Sequence, residues 1–182
     1  MINETASIIM SFCMLAFASA SYFFKSKSAY LLLQGIAVFC LTLSYFFLGE
    51  YFAMTGMFIG LARTAVYYLY ERRNKGVPVI IVVGVCALTL ANYFIINFKI
   101  NQSVSPFDVL FLIACCLYAV IFSIRNLKIV RYTILIPIAI SIAYNLLIKA
   151  PIFAVVNYVV EFSVGIFTIF YFYYFKKKTS RN

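Results

Sequence analysis

Histidine and tryptophan are absent from this chain, and carboxylates are nearly so: Glu4, Glu50, Glu71, Asp108 and Glu161 are the only five. Without histidine, imidazole acid–base catalysis and His metal sites are excluded. Five scattered acids offer neither a catalytic pair nor a metal cage, and Glu71 is the only acid expected at the inner surface, so no enzyme, metal or cofactor is expected. Ser163-Val-Gly165 does not complete a serine-nucleophile motif. The five cysteines, Cys13, Cys40, Cys86, Cys115 and Cys116, are odd in number, lie in apolar runs and form no CxxC pair. They read as free thiols packed like small hydrophobes. Charge is scarce altogether, at 11% of residues against 65% hydrophobic and a mean hydropathy of +1.02. Soluble domains carry about a quarter charged residues, so a water-soluble fold is excluded.

What is present is a series of long apolar runs, at roughly 6–24, 29–48, 51–71, 78–98, 106–124, 129–148 and 151–175. A hydrocarbon core about 30 Å thick needs about 20 apolar residues per helical crossing, so seven crossings consume most of the 182 residues. Backbone satisfaction in lipid makes them helices, and the period-two alternation of a barrel is missing. Pro78, Pro106 and Pro151 each open a run, where a missing N–H costs little. Ala18-Ser-Ala20 resembles a leader-cleavage site, but the preceding stretch carries Glu4 and no Lys or Arg, so the first run is expected to remain as a helix.

With the N-terminus outside, the inner side collects Lys25, Lys27, Arg72, Arg73, Lys75, Arg125, Lys128, Arg131, Lys176, Lys177, Lys178 and Arg181, twelve of the fifteen basic residues. The outer side keeps Lys99 and Lys149 beside Glu4, Glu50 and Asp108. The bias predicts an N-out, C-in protein. The net charge of +10 is then a topology signal facing anionic inner-leaflet lipids, and nucleic-acid binding is not expected. Tyr67, Tyr68, Tyr70, Tyr171, Tyr173 and Tyr174 precede the inner cations and read as interfacial anchors.

Runs 1–3 and 5–7 repeat one pattern: a short basic inner loop, a tight outer turn with one charge (Glu50; Lys149), then tyrosines leading into inner cations. Ser44-Tyr-Phe-Phe-Leu48 lies opposite Ala143-Tyr-Asn-Leu-Leu147. One extra helix between the triplets makes them parallel, a plan known in transporters. The predicted fold is therefore all-α and polytopic: seven transmembrane helices as two parallel three-helix bundles joined by a linker helix. The divisions are 1–76, 77–100 and 101–182, the last with a basic tail.

Phe47-Leu-Gly-Glu-Tyr51, Gly60-Leu-Ala-Arg63-Thr64 and Glu161 in the last run resemble the YgjV family of uncharacterised bacterial inner-membrane proteins. The helix plan also resembles that of the SWEET sugar facilitators and the PnuC nicotinamide riboside transporters. That likeness implies a small-molecule path between the triplets. The chain departs from SWEETs where Ser19-Ala-Ser21 replaces the expected proline–glutamine motif, and Pro137 is the one kink proline remaining.

Two charges have no topological use. Arg63 lies thirteen residues after Glu50, and Glu161 twelve after Lys149. At 1.5 Å per residue both sit about 18–20 Å below the outer face. Each costs roughly 2.5–3.5 kcal/mol to insert, so each must face the interior and find a partner. Opposite signs at equal depth on equivalent helices suggest that they find each other. Two readings stand: a structural ion pair in a non-transporting scaffold or accessory subunit, or a substrate-binding or gating site in a small-solute transporter. In the second, Arg63 holds an anionic group and Glu161 a cation or proton, which suits a small zwitterionic or polar solute. An Arg63 that snorkels to the headgroups is a third placement. Asn157, one turn before Glu161, with Thr64, Tyr144 and Asn145, are the further candidates for the site. Asn92 and Asn97 read as interhelical hydrogen-bond partners, Gly56 and Gly60 as a GxxxG for helix packing or a homo-oligomer contact, and Pro137 as a kink.

Overall fold

A computed structural model describes residues 2–96, 107–148 and 152–175. The readings placed on Asn97, Lys99, Pro106, Lys149, Pro151 and the basic tail lie outside the described residues. Every regular element among the described residues is helical: α1 (Ile2–Ser21), α2 (Lys27–Leu48), α3 (Tyr51–Arg72), α4 (Val79–Phe94), α5 (Asp108–Ser123), α6 (Leu127–Thr133), α7 (Leu135–Leu147) and α8 (Ile152–Phe170), with a wider π-helical turn over Tyr171–Phe175.

Local chemistry sets the breaks. Gly49 ends α2 in the left-handed conformation (φ 76°), which lets its N–H reach the Phe46 carbonyl (3.2 Å) while that of Glu50 reaches Tyr45 (3.1 Å). A side chain would resist that backbone, and the turn is tight because glycine does not. Pro78 precedes α4, and the Asn126 side chain caps α6 by accepting from the Lys128 N–H at 2.9 Å. The run around Pro137 forms one span, α6 and α7 together, with a one-residue break at Ile134, which keeps right-handed helical angles (φ -62°, ψ -22°) and still bonds the Val130 carbonyl at 2.9 Å. Proline lacks the N–H that would bond the Thr133 carbonyl one turn earlier, and its ring crowds that carbonyl.

Four segments are long and apolar enough to cross a membrane: Glu4–Ser21, Lys27–Leu48, Leu127–Leu147 (α6 and α7 together) and Ile152–Tyr173. α3 has the length, at 22 residues, but carries Arg63, Glu71 and Arg72. α4 and α5 are apolar helices of 16 residues each, about 24 Å long.

The helices close into a ring. α1 packs on α2 and α2 on α3, α5 packs on α7 and α7 on α8, and the ends of these rows meet where α3 touches α5 and α8 touches α1. α4 stands outside this ring, against α5 and α3. Polarity is distributed inside-out. Ile80 and Ile152 are about four-fifths exposed, whereas Ser7, Ser21, Gln34, Asn145 and Asn157 are buried. Small polar residues at helix contacts and apolar residues outside are what lipid demands. All five cysteines are free.

The core has two parts. Met14, Ala18, Ala37, Cys40 and Leu41 fill the α1–α2 contact. Tyr22, Tyr30, Leu31, Tyr67, Phe122, Ile134 and Tyr158 belong to a larger cluster toward the end of the bundle that carries Lys27. Tyr67, read above as an interfacial anchor, is completely buried there. Its position on α3 turns it into this cluster, whereas Tyr68, about 100° further round, stays partly exposed.

Candidate functional site

Arg63 on α3 and Glu161 on α8, each 6% exposed, line the same cavity of about 60 Å³, together with Gln34, Cys115, Tyr118 and Tyr158. Neither hydrogen bond nor ion pair joins them, so the direct pairing anticipated from their depth is not formed. Each has other company. Arg63 Nη1 donates to the Cys115 carbonyl at 3.4 Å, and its guanidinium carbon lies 5.1 Å from the Phe122 ring centre and 5.9 Å from that of Tyr118. Its Nε–H is buried without a partner. Tyr22 Oη donates to Glu161 Oε1 at 3.3 Å. A buried guanidinium held by one long bond and two ring faces keeps unused donor capacity. The cavity that both line has room for a few waters or a small polar group.

The other expected site residues divide. Asn157, Tyr144 and Asn145 line a second cavity, of about 200 Å³, at the end of the bundle that carries Gly49. There Asn157 Nδ2 donates to the Ser11 carbonyl (3.3 Å), Tyr144 Oη to Asp108 (3.5 Å) and Asn145 Nδ2 to the Ser141 carbonyl (2.7 Å). Thr64 joins neither cavity. Its hydroxyl donates to the Gly60 carbonyl one turn back (2.8 Å), and it borders an apolar groove between α2 and α3 with Leu32, Gly35 and Phe39. Adjacent helical residues point about 100° apart, so Arg63 faces the cavity while Thr64, also buried, faces Gly35 on α2.

The GxxxG divides as well. A Cβ on Gly56 would lie 2.9 Å from the Phe111 ring, so this glycine permits the α3–α5 approach. A Cβ on Gly60 would meet Arg63 Nη2 at 3.7 Å and Val38 at 3.8 Å, ordinary contact on the wall of the Arg63 cavity. Asn92 Nδ2 lies about 4.0 Å from the Gly56 Cβ position, across the α3–α4 contact.

Several site residues were not singled out in the sequence. Gln34 is buried, donates to Ser21 Oγ at 3.0 Å and lines the cavity of Arg63 and Glu161. Its signal was available, as a lone amide between Leu31–Leu33 and Gly35. Ser7 and Ser11, one turn apart on α1, both meet Ser44 Oγ at 2.8 Å. Arg131, assigned to the basic inner loops, is 3% exposed. It donates to the carbonyls of Tyr22 (2.9 Å) and Phe24 (2.5 Å) and to Tyr173 Oη (3.2 Å), and lies 4.7 Å from the Phe172 ring centre. It ties α6 to the chain leaving α1 and to the end of α8. Lys27, also read as a topology charge, is buried in an ion pair with Glu71 at 3.0 Å.

An apolar exterior around buried charges, amides and hydroxyls, on several membrane-length helices, defines a multi-pass α-helical membrane protein. The chain belongs to the bacterial inner membrane protein family Imp-YgjV, whose profile matches residues 5–176, and its place is the bacterial inner membrane. No curated protein and no solved structure matches the chain.

Proposed function

We propose that the protein is a small-solute transporter or facilitator of the inner membrane, with Arg63 and Glu161 as the charged ends of a central binding site between two three-helix bundles. The observation that carries this reading is that the two charges line one cavity without bonding to each other. A structural ion pair is favoured by direct contact, and a site for a solute by a gap of this kind. The proposed architecture is seven crossings in a 3+1+3 order, N-out and C-in, with units 1–76, 77–100 and 101–182. Support comes from the ring, in which α1–α2–α3 and α5–α7–α8 make equivalent neighbours and α4 stands aside. In this orientation the Gly49 end is outer, and the cations around Lys27 and Arg131 face anionic inner-leaflet lipids. A zwitterion complements the site best, with its anionic group on Arg63 and its cationic group on Glu161.

The test is uptake into proteoliposomes from a mixture of labelled amino acids and other small zwitterions. Wild type is expected to accumulate at least one of them, and Arg63→Gln and Glu161→Gln to lose that uptake while eluting as folded protein. Unchanged uptake in both variants, or full function in the swap Arg63→Glu with Glu161→Arg, overturns the reading. Stoichiometric co-purification of a partner without flux favours the scaffold.

A further inference from the structure

The two cavities are neighbours in series. Met14, Leu41 and Tyr158, all buried, line both, so a partition one side chain thick separates them. Beyond the inner cavity, toward the Lys27 end, the way is filled. Tyr22, Tyr30 and Phe122 pack edge to face, with ring centres 5.8 and 6.0 Å apart, and Tyr67 is buried in the same cluster. Arg131 secures this end by holding the carbonyls that follow α1. The cavity at the Gly49 end, by contrast, has the exposed residues Glu50 and Ile148 in its wall.

We propose that this outer cavity is a second binding station, an antechamber that admits a small solute bearing an ammonium group and hands it past Tyr158 to the Arg63–Glu161 cavity. The proposal rests on the transporter reading above. The recognition chemistry is in the lining. Asn157 and Asn145 present amides whose nitrogens already bond carbonyls, Ser11 a hydroxyl that bonds Ser44, and Glu50 adds a carboxylate at the rim. Tyr144, on the same wall, donates its hydroxyl to Asp108 at 3.5 Å. Among the described residues no Lys or Arg lines this cavity. Acceptors and negative charge in a low-dielectric recess concentrate cations and repel anions that carry no cationic end. The larger outer volume, about 200 against about 60 Å³, suits a station that takes in a hydrated solute before the smaller cavity strips it.

Thiol modification of the full-length protein in right-side-out membrane vesicles tests this, with two impermeant methanethiosulfonates as probes: the trimethylammonium-ethyl cation and the sulfonatoethyl anion. One reporter keeps native Cys115 on the central cavity wall, with the other four cysteines replaced by alanine. The second replaces all five and adds Ala154→Cys on the outer cavity wall. The outer reporter is expected to react with the cation at least about fivefold faster than with the anion, after normalising to free thiol rates. Cys115 is expected to react at least about tenfold slower than the outer reporter, and Tyr158→Ala to raise the Cys115 rate about tenfold while the outer reporter keeps its cation preference. Tyr158→Phe, which keeps the ring, should leave Cys115 slow and serves as the folding control.

An outer reporter that favours the anion, or a Cys115 rate indifferent to Tyr158→Ala, overturns the proposal. If Cys115 reacts while the outer reporter does not, the antechamber fails and the central site stands. If the outer reporter shows its cation preference while Arg63→Gln and Glu161→Gln retain uptake, the central site fails instead.

Discussion

Replacing Arg63 by methionine separates a binding group from a structural one by the sign of its effect on stability. The cation costs roughly 2.5–3.5 kcal/mol to place at membrane depth. Its two ring contacts, at 5.1 and 5.9 Å, recover about 0.5–1 kcal/mol each. The 3.4 Å bond to the Cys115 carbonyl is close to the geometric limit and adds about 0.5 kcal/mol. The Nε–H recovers nothing. Arginine is thus close to a net cost at this position, and methionine, unbranched and of similar length, refills most of its space. Arg63→Met is expected to leave stability unchanged or to raise it by about 1 kcal/mol, a melting temperature about 2–4 °C higher for a chain of this size. The assay is thermal unfolding of the purified protein in detergent, paired with the uptake measurement, which the same variant should abolish. A loss of about 3–5 kcal/mol, the usual cost of orphaning one member of a buried ion pair, would refute the reasoning, because Glu161 would then have depended on Arg63.

Arg131→Met should act with the opposite sign. Three donated bonds and a ring contact are removed, two of them from carbonyls just past α1, so a loss of about 3–5 kcal/mol is expected in the same unfolding assay; Arg131→Lys should recover only part, because one ammonium cannot reproduce the fork. Gly165→Leu should cost about 1–3 kcal/mol, since even a Cβ there falls 2.9 Å from Leu135 Cδ2. Gly60→Ala is expected to leave the melting temperature unchanged and to lower uptake, because its new methyl meets only ordinary contacts but narrows the central cavity. Ser44→Ala removes the oxygen shared by Ser7 and Ser11 and should cost about 1–3 kcal/mol, read by the same melt.

The sequence disclosed helices well because lipid permits little else, and charges and prolines mark most helix ends. It disclosed Arg63 and Glu161 because an ionised group in an apolar run has no bland explanation. Their failure to bond was not legible. Depth along a helix follows from counting, whereas contact also depends on rotation about each axis and on what rival partners offer, here the rings of Tyr118 and Phe122 and the hydroxyl of Tyr22. Thr64 was misplaced for the same reason, by adjacency in sequence rather than by face. Arg131 and Lys27 were read for topology, and their buried bonds stayed hidden because a cation that ends a helix in a loop looks the same whether it meets water or a carbonyl.

The break at Ile134 makes the two rows of helices unequal in backbone bonding. The central helix of the first row, α2, is one unbroken column of 22 residues, whereas its counterpart is jointed between Thr133 and Leu135. Ile134 itself is buried among Tyr22, Phe122 and Val130, the side chains that fill the Lys27 end. The unbroken column carries Gln34 beside the two charges, and the column that lacks one backbone bond carries Ile134 into the plug.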